Sequence, residues 1–408
     1  MKKTNIEQRY YLLPILIGIS FLSRISVSYF FGDKAFDGQG EWGILVESLI
    51  FFNTYSLYHF DDLLVPSVYM PPLYPFILYL INIISLNKID FINLIIFFQA
   101  IISTLSVYIF YKINLNFFSS KLSLFNSLIF SMFPLNIYIS GQISSITLQV
   151  FLSLLFLNFL LLIINKQTKK NIIFFSIVSG LLILTRGEFI LVFIFLMVAL
   201  IKKIKFSNLI KIILITLLVI SPYMIRNYVQ FNNIILVKSL GFNLWKGNNE
   251  LSLVEGYEEY DNIKFKKLKS NLLSLEKIKN YEINRDKLFM DEAKEYLIND
   301  PVRYINLFFK KLLSFYLVDL SSTYPKYYSF YNFVPTLLIS LLSFPGLFLF
   351  YRNKNIKHDS LLLYLGLNLI IFSIFFILPR YKLIILPIQI ILIGCFIKYV
   401  LDKLNIKY

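Results

Sequence analysis

The sequence has 408 residues, of which 57% are hydrophobic and 16% charged, with a formal net charge of +16. Soluble domains carry roughly 25% charged residues and a smaller apolar share, so a soluble globular enzyme, a nucleic-acid-binding domain and a disordered chain are all excluded. The chain reads as an all-α polytopic membrane protein.

Lys2, Lys3 and Arg9 precede an apolar run over about 10–31. That run is too long for a signal-peptide core and lacks a small-residue cleavage site. It is predicted to be a retained first span entering from the cytoplasm, with Arg24 facing the bundle or snorkelling. Further apolar runs cover about 91–111, 122–140, 147–165, 171–201, 208–224, 329–350, 360–378 and 383–401. Basic clusters separate them, such as Lys166, Lys169 and Lys170, then Lys202, Lys203 and Lys205, then Arg352, Lys354 and Lys357. Short cytoplasmic loops are rich in Lys and Arg, so successive clusters must be separated by an even number of crossings.

Parity decides three segments. The run 171–201 must cross twice, turning at Thr185–Arg186–Gly187–Glu188. The run Pro71–Leu86 is predicted to lie in, or dip into, the outer interface. Val302–Leu320, with Lys310 and Lys311 at its middle, is predicted to be an interfacial amphipathic helix. About ten spans result, in a single membrane domain over 1–408 with both termini inside. Residues 32–90 and about 225–305 face outward, and with the following interfacial helix the second outer loop runs to about 328. The positive excess then belongs to the inner loops, where it orients the protein; no nucleic-acid partner is implied. The one cysteine, Cys395, excludes an intrachain disulfide, and His59 and His358 are too few for a histidine-rich metal site. No internal repeat is visible.

The unusual residues gather on the outer side. They are Phe36–Asp37–Gly38–Gln39–Gly40–Glu41–Trp42, the Pro-rich stretch from Val65 to Pro75 with Tyr69 and Tyr74, and Arg186 with Glu188. Ser221–Tyr228 with Arg226, Asn243–Leu244–Trp245–Lys246–Gly247–Asn248–Asn249, and Pro379–Arg380–Tyr381–Lys382 complete the set. Carboxylates facing several cations at one membrane face suit transfer from a lipid phosphate ester. A carboxylate deprotonates an acceptor hydroxyl, while Arg and Lys hold the phosphate and stabilise the charge that grows on it. Arg186, Arg226, Lys246 and Arg380 are the candidate phosphate ligands. Trp42, Tyr69, Tyr74, Asn243, Trp245, Asn248, Asn249, Tyr381 and Lys382 are the candidate substrate and lipid contacts. The alternative for the arginines is snorkelling to headgroups, and for either tryptophan an interface anchor.

The order of these motifs resembles the GT-C glycosyltransferases, in the family 39 branch that contains protein O-mannosyltransferases and the aminoarabinose transferase of lipid A. The resemblance rests on Glu41–Trp42, Tyr69–Met70–Pro71–Pro72–Leu73–Tyr74–Pro75, Thr185–Arg186, Pro222 with Arg226–Asn227, Asn243 to Asn249, and Arg380–Tyr381. It implies a bacterial cytoplasmic-membrane enzyme with its active site on the outer face. The implied partners are a polyprenyl-phosphate-linked sugar donor, a glycan, lipid or protein acceptor, and membrane lipid. The implied reaction is an inverting transfer of a hexose or pentose. Asp37 is the expected base, with Glu41 orienting it, the acceptor or an ion; Asp33 is a third candidate. A divalent cation, Mg²⁺ or Mn²⁺, would have Asp37 and Glu41 as its only expected ligands. Relatives often carry an acid just before the fourth span, where this chain has Gln142 and Gln149 around Ser144–Ser145–Ile146–Thr147. The competing readings are a transporter or flippase of lipid-linked glycans and an O-antigen-ligase-like enzyme.

Overall fold

The computed structural model describes residues 2–36, 40–60, 63–353 and 355–406, leaving aside the side chains of residues 2–10 and Ile89. In chain order the helices are α1 (Lys2–Phe31), α2 (Glu41–Phe52), α3 (Leu73–Ile84), α4 (Lys88–Asn114), α5 (Ser120–Met132) and α6 (Pro134–Ile139). They continue with α7 (Ile146–Asn165), α8 (Lys169–Thr185), α9 (Phe189–Ala199), α10 (Phe206–Phe231), α11 (Leu240–Asn248) and α12 (Lys266–Leu273). The last are α13 (Tyr281–Asn299), α14 (Pro301–Tyr316), α15 (Phe330–Arg352), α16 (Ile356–Ile374) and α17 (Lys382–Lys403). Between α2 and α3, strands β1 (Ser56–Phe60) and β2 (Leu63–Pro66) pair antiparallel.

Among the described residues, seven helices are long and apolar enough to cross a membrane: α1, α4, α7, α10, α15, α16 and α17. The other three expected spans are shorter. The run 122–140 is interrupted at Phe133–Pro134, because proline has no N–H to continue α5 and sits instead in the first turn of α6. The run 171–201 breaks where expected, with Arg186 in an extended conformation between α8 and α9. At 1.5 Å per residue α9 is about 16 Å long, roughly half a hydrocarbon core.

α7 and α17 are the interior of the bundle, and α17 is buried without interruption from Lys382 to Gly394. α15 reaches it closely at Gly346, where an added Cβ would lie 1.9 Å from the Leu392 carbonyl. Arg24 faces the bundle. Its guanidinium donates to Ser103 Oγ (2.6 Å), Ser20 Oγ (2.6 Å) and the Ser20 carbonyl (2.9 Å), which a group enclosed among apolar helices requires.

The segment between α1 and α4 and the segment between α10 and α14 pack on each other. Trp245, Phe265, Leu268, Leu272, Phe289 and Ala293 form a core of their own between α11, α12 and α13. α13 brackets the region: Glu282 accepts from Val68 N (2.6 Å) and Ser67 Oγ (3.1 Å), and one turn on Asp286 accepts from Phe242 N (3.1 Å). Lys238 N donates to the Val68 carbonyl at 2.7 Å. On α14, Val302, Ile305, Phe309 and Leu313 leave an apolar stripe on the surface, while Lys311 is wholly buried on the other side.

Candidate functional site

The site starts at the first residue of α2. Glu41 follows the extended Gly40, so its carboxylate sits at a helix N-terminus, where the exposed N–H groups favour negative charge. Solvent reaches the side chain, yet protein walls it on most sides, the setting of a crevice. That burial raises the Glu41 carboxyl above the usual carboxylate range, and Lys246, Arg285 and Arg380 work against the rise.

Lys246 lies on α11, its ammonium paired with the Glu258 carboxylate and 4.7 Å from the centre of the Phe376 ring. A single buried amine fixes this helix against the bundle. Lys311 Nζ donates to the Gly247 carbonyl (2.8 Å), Asn248 Oδ1 (3.0 Å) and the Phe375 carbonyl (2.6 Å), closing the C-terminal ends of α11 and α16 together. Gly247 is required there, since any Cβ would lie 1.9 Å from the Phe375 oxygen. Burial pushes the Lys311 ammonium down to about 7.

Arg380 occupies the tight turn Pro379–Tyr381 before α17, and its Nη1 meets Tyr324 OH at 3.4 Å. Arg186, in the break between α8 and α9, donates to Gln149 Oε1 at 3.1 Å and lies 3.8 Å from Glu188. Both guanidiniums rest on one ring: Arg186 is 5.4 Å and Arg380 5.8 Å from the centre of Tyr381. Gln149, one of the two polar residues flanking Ser144–Thr147, thus has Arg186 as its partner. Asp33 also reaches that loop, accepting from Ile143 N at 2.7 Å.

The structure therefore brings Lys246 and Arg380 each within electrostatic reach of Glu41, and joins Arg186 to Arg380 through Tyr381. Asp37 lies outside the described residues. Trp42 meets Tyr74 edge-on at 5.2 Å, and Tyr74 donates to Gln99 Oε1 at 3.1 Å, tying α3 to α4. Tyr69 stands on the wall of the crevice, and Asn243 is half-buried on α11, one turn before Lys246.

Other expected contacts prove to be framework. Trp245 has 0% exposure, packed against Phe265 and Phe289, so it neither lines the crevice nor anchors in the interface. Asn248 is held by the Leu244 and Ile374 carbonyls and by Lys311, and Asn249 by the Tyr257 carbonyl and Leu251 N. Lys382 donates to the Phe315, Tyr316 and Leu317 carbonyls at the end of α14 and to Ser340 Oγ. Arg226 donates to the Ser67 carbonyl (2.6 Å), the Tyr55 carbonyl (3.1 Å) and Asn227 Oδ1 (2.9 Å), holding the β1–β2 region to α10.

Arg285 is a member of the site that the sequence did not disclose. It projects from α13 over Phe289 (4.9 Å), Phe242 (5.2 Å) and Tyr58 (5.8 Å), and no described residue accepts a hydrogen bond from it. The signal was its place between Glu282 and Asp286, two acids on one helix face, within a stretch legible only as charged helix.

Neither protein-family models nor curated sequences match the chain. Solved structures do. The oligosaccharyltransferase AglB of Archaeoglobus fulgidus, in complex with an inhibitory peptide and a dolichol-phosphate, superimposes over 97% of this chain with a TM-score of 0.59 at 15% identity. ArnT from Cupriavidus metallidurans, in the apo state, superimposes over 95% with a TM-score of 0.54 at 10% identity. The fold is GT-C-like. The chain spans about half of AglB (51%) and 59% of ArnT. AglB has also been crystallised in complex with Zn and sulfate. Here, no three metal-binding side chains converge among the described residues. Of the two ligands expected for Mg²⁺ or Mn²⁺, Glu41 stands among Lys246, Glu258, Arg285 and Arg380, and Asp37 lies outside the described residues.

Proposed function

We propose that the protein is an inverting glycosyltransferase of the bacterial cytoplasmic membrane. It moves a sugar from a polyprenyl-phosphate donor to an acceptor hydroxyl on the outer face. The observation that supports this most is the crevice itself: a carboxylate at the start of α2 opposed by Lys246, Arg285 and Arg380. In this reading the acceptor oxygen attacks the anomeric carbon opposite the phosphate, its proton passes to a carboxylate of the 37–41 segment, and the sugar–phosphate bond breaks. Lys246, Arg380 and Arg186 bind the departing polyprenyl phosphate, whose new negative charge they stabilise. Arg380 and Arg186, splayed on Tyr381, present forks that match phosphate oxygens. The lifted affinity of Glu41 for a proton moves a carboxylate toward the range useful to a general base.

The test is sugar transfer in membrane fractions from a radiolabelled polyprenyl-phosphate sugar. Loss of roughly 10²–10⁴-fold in Asp37→Asn or Glu41→Gln, with normal membrane levels, identifies the base. Full transfer by both variants refutes the reading.

A further inference from the structure

Away from the crevice, a groove of about 300 Å³ opens between the outer end of α1 and the start of α4. Its walls are apolar, with Ile25 from α1 and Ile92, Ile96 and Phe97 from α4. The helices that make it lie at the edge of the bundle: Tyr29 is 73% and Phe97 49% exposed, and Leu22, Phe30 and Ile101 are likewise open. A groove in that position faces lipid, so its occupant is chosen by its polar rim.

The rim carries Asp33, Lys34 and Asn93. Lys34 folds back on the last turn of α1, donating to the carbonyls of Tyr29 and Ser28, which leaves a cation at the mouth. Asp33 uses Oδ2 for Ile143 N, and no described residue donates to its Oδ1. Neither side chain forms an ion pair among the described residues. One cation and one carboxylate, adjacent in the chain, complement a headgroup that carries both signs and can donate hydrogen bonds.

We propose that this groove is a binding site for one phospholipid with a primary-ammonium, zwitterionic headgroup. An acyl chain runs along Ile92, Ile96 and Phe97, the phosphate meets Lys34 and Asn93, and the ammonium donates to Asp33 Oδ1. The site is independent of the glycosyltransferase reading. It has a structural consequence nevertheless, because Asp33 joins the end of α1 to the loop before α7, beside the segment that leads to Glu41.

Native mass spectrometry of the delipidated full chain, titrated with phosphatidylethanolamine, phosphatidylglycerol or phosphatidylcholine, tests the assignment. One phosphatidylethanolamine should be retained with roughly tenfold preference over the other two, since a hydrogen bond to a charged group is at stake. Asp33→Asn, which keeps an acceptor for Ile143 N–H, should erase that preference. Lys34→Gln should weaken phosphatidylethanolamine and phosphatidylglycerol alike. Equal retention of the three lipids, preference for phosphatidylglycerol, displacement by polyprenyl phosphate, or unchanged binding in Lys34→Gln would each overturn the proposal.

Discussion

Two groups of cations lie where the segments outside the bundle meet it, and they differ in where their N–H groups go, for Arg226 of the first group also lies beside the Tyr55, Tyr223 and Phe231 rings. Lys311, Lys382 and Arg226 are turned onto backbone carbonyls at helix ends and strand connections. Lys246, Arg285, Arg380 and Arg186 rest on aromatic rings and keep much of their donor capacity unused by backbone. An ammonium on three carbonyls is a fastener, because moving it would strand several buried acceptors. A guanidinium on a ring is held in place while its N–H edge stays available. The difference separates frame from site among residues that look alike in sequence.

Substitutions across this divide should behave oppositely. Glu41→Gln carries the largest expected effect on turnover if it is the base, a loss of roughly 10²–10⁴-fold with unchanged thermal stability, read by the transfer assay and a melting curve in detergent. Lys382→Met should lower stability by roughly 2–4 kcal/mol, because several buried acceptors lose their donor, while the variant that remains folded binds donor normally. Arg380→Ala should do the reverse. Its melting midpoint should hold, and its dissociation constant for polyprenyl phosphate should rise roughly ten- to a hundredfold, with Arg380→Lys recovering part. Equal effects of Lys382→Met and Arg380→Ala on both readouts would erase the distinction.

The smallest effect belongs to the bracket on α13. Burial raises the Glu282 carboxyl to about 7, against the hydrogen bonds from Val68 N and Ser67 Oγ. An unfolded glutamate titrates near about 4.3, so the native state binds more protons between these values. Stability from this group is therefore present below pH 4 and is lost as pH rises through 7, by roughly 1–3 kcal/mol. Denaturation of the wild type and Glu282→Gln at pH 5 and pH 8 should show that fall in the former and its reduction in the latter.

Much of the fold was legible because apolar runs and the Arg186–Gly187–Glu188 interruption are local signals. Phe133–Pro134 was a local signal too, since proline ends a hydrogen-bond ladder, but hydropathy averaged over it. The candidate site was legible where short polar motifs fall at element ends, as with Glu41 at the start of α2, Lys246 in the last turn of α11 and Arg380 in the turn before α17. It was not legible where orientation depends on a helix's rotation. Lys310 and Lys311 are neighbours in sequence, yet one is exposed and the other has 0% exposure, since adjacent residues on a helix point about 100° apart. Trp245 was ambiguous for the same reason: an aromatic near a membrane anchors in the interface only if it points there. Arg285 needed knowledge of which face of α13 meets residues 67–69.

The contact of Gly247 with Phe375 has a consequence for how finely the crevice is assembled. Lys246 sits in the last turn of α11 and Arg380 in the turn before α17, so this one close approach works as an alignment mark between them. Any larger side chain at position 247 would push α11 off the end of α16 and shift Lys246 relative to Arg380. The smallest side chain in the alphabet thus acts as a spacer of zero thickness between two of the charges that face Glu41.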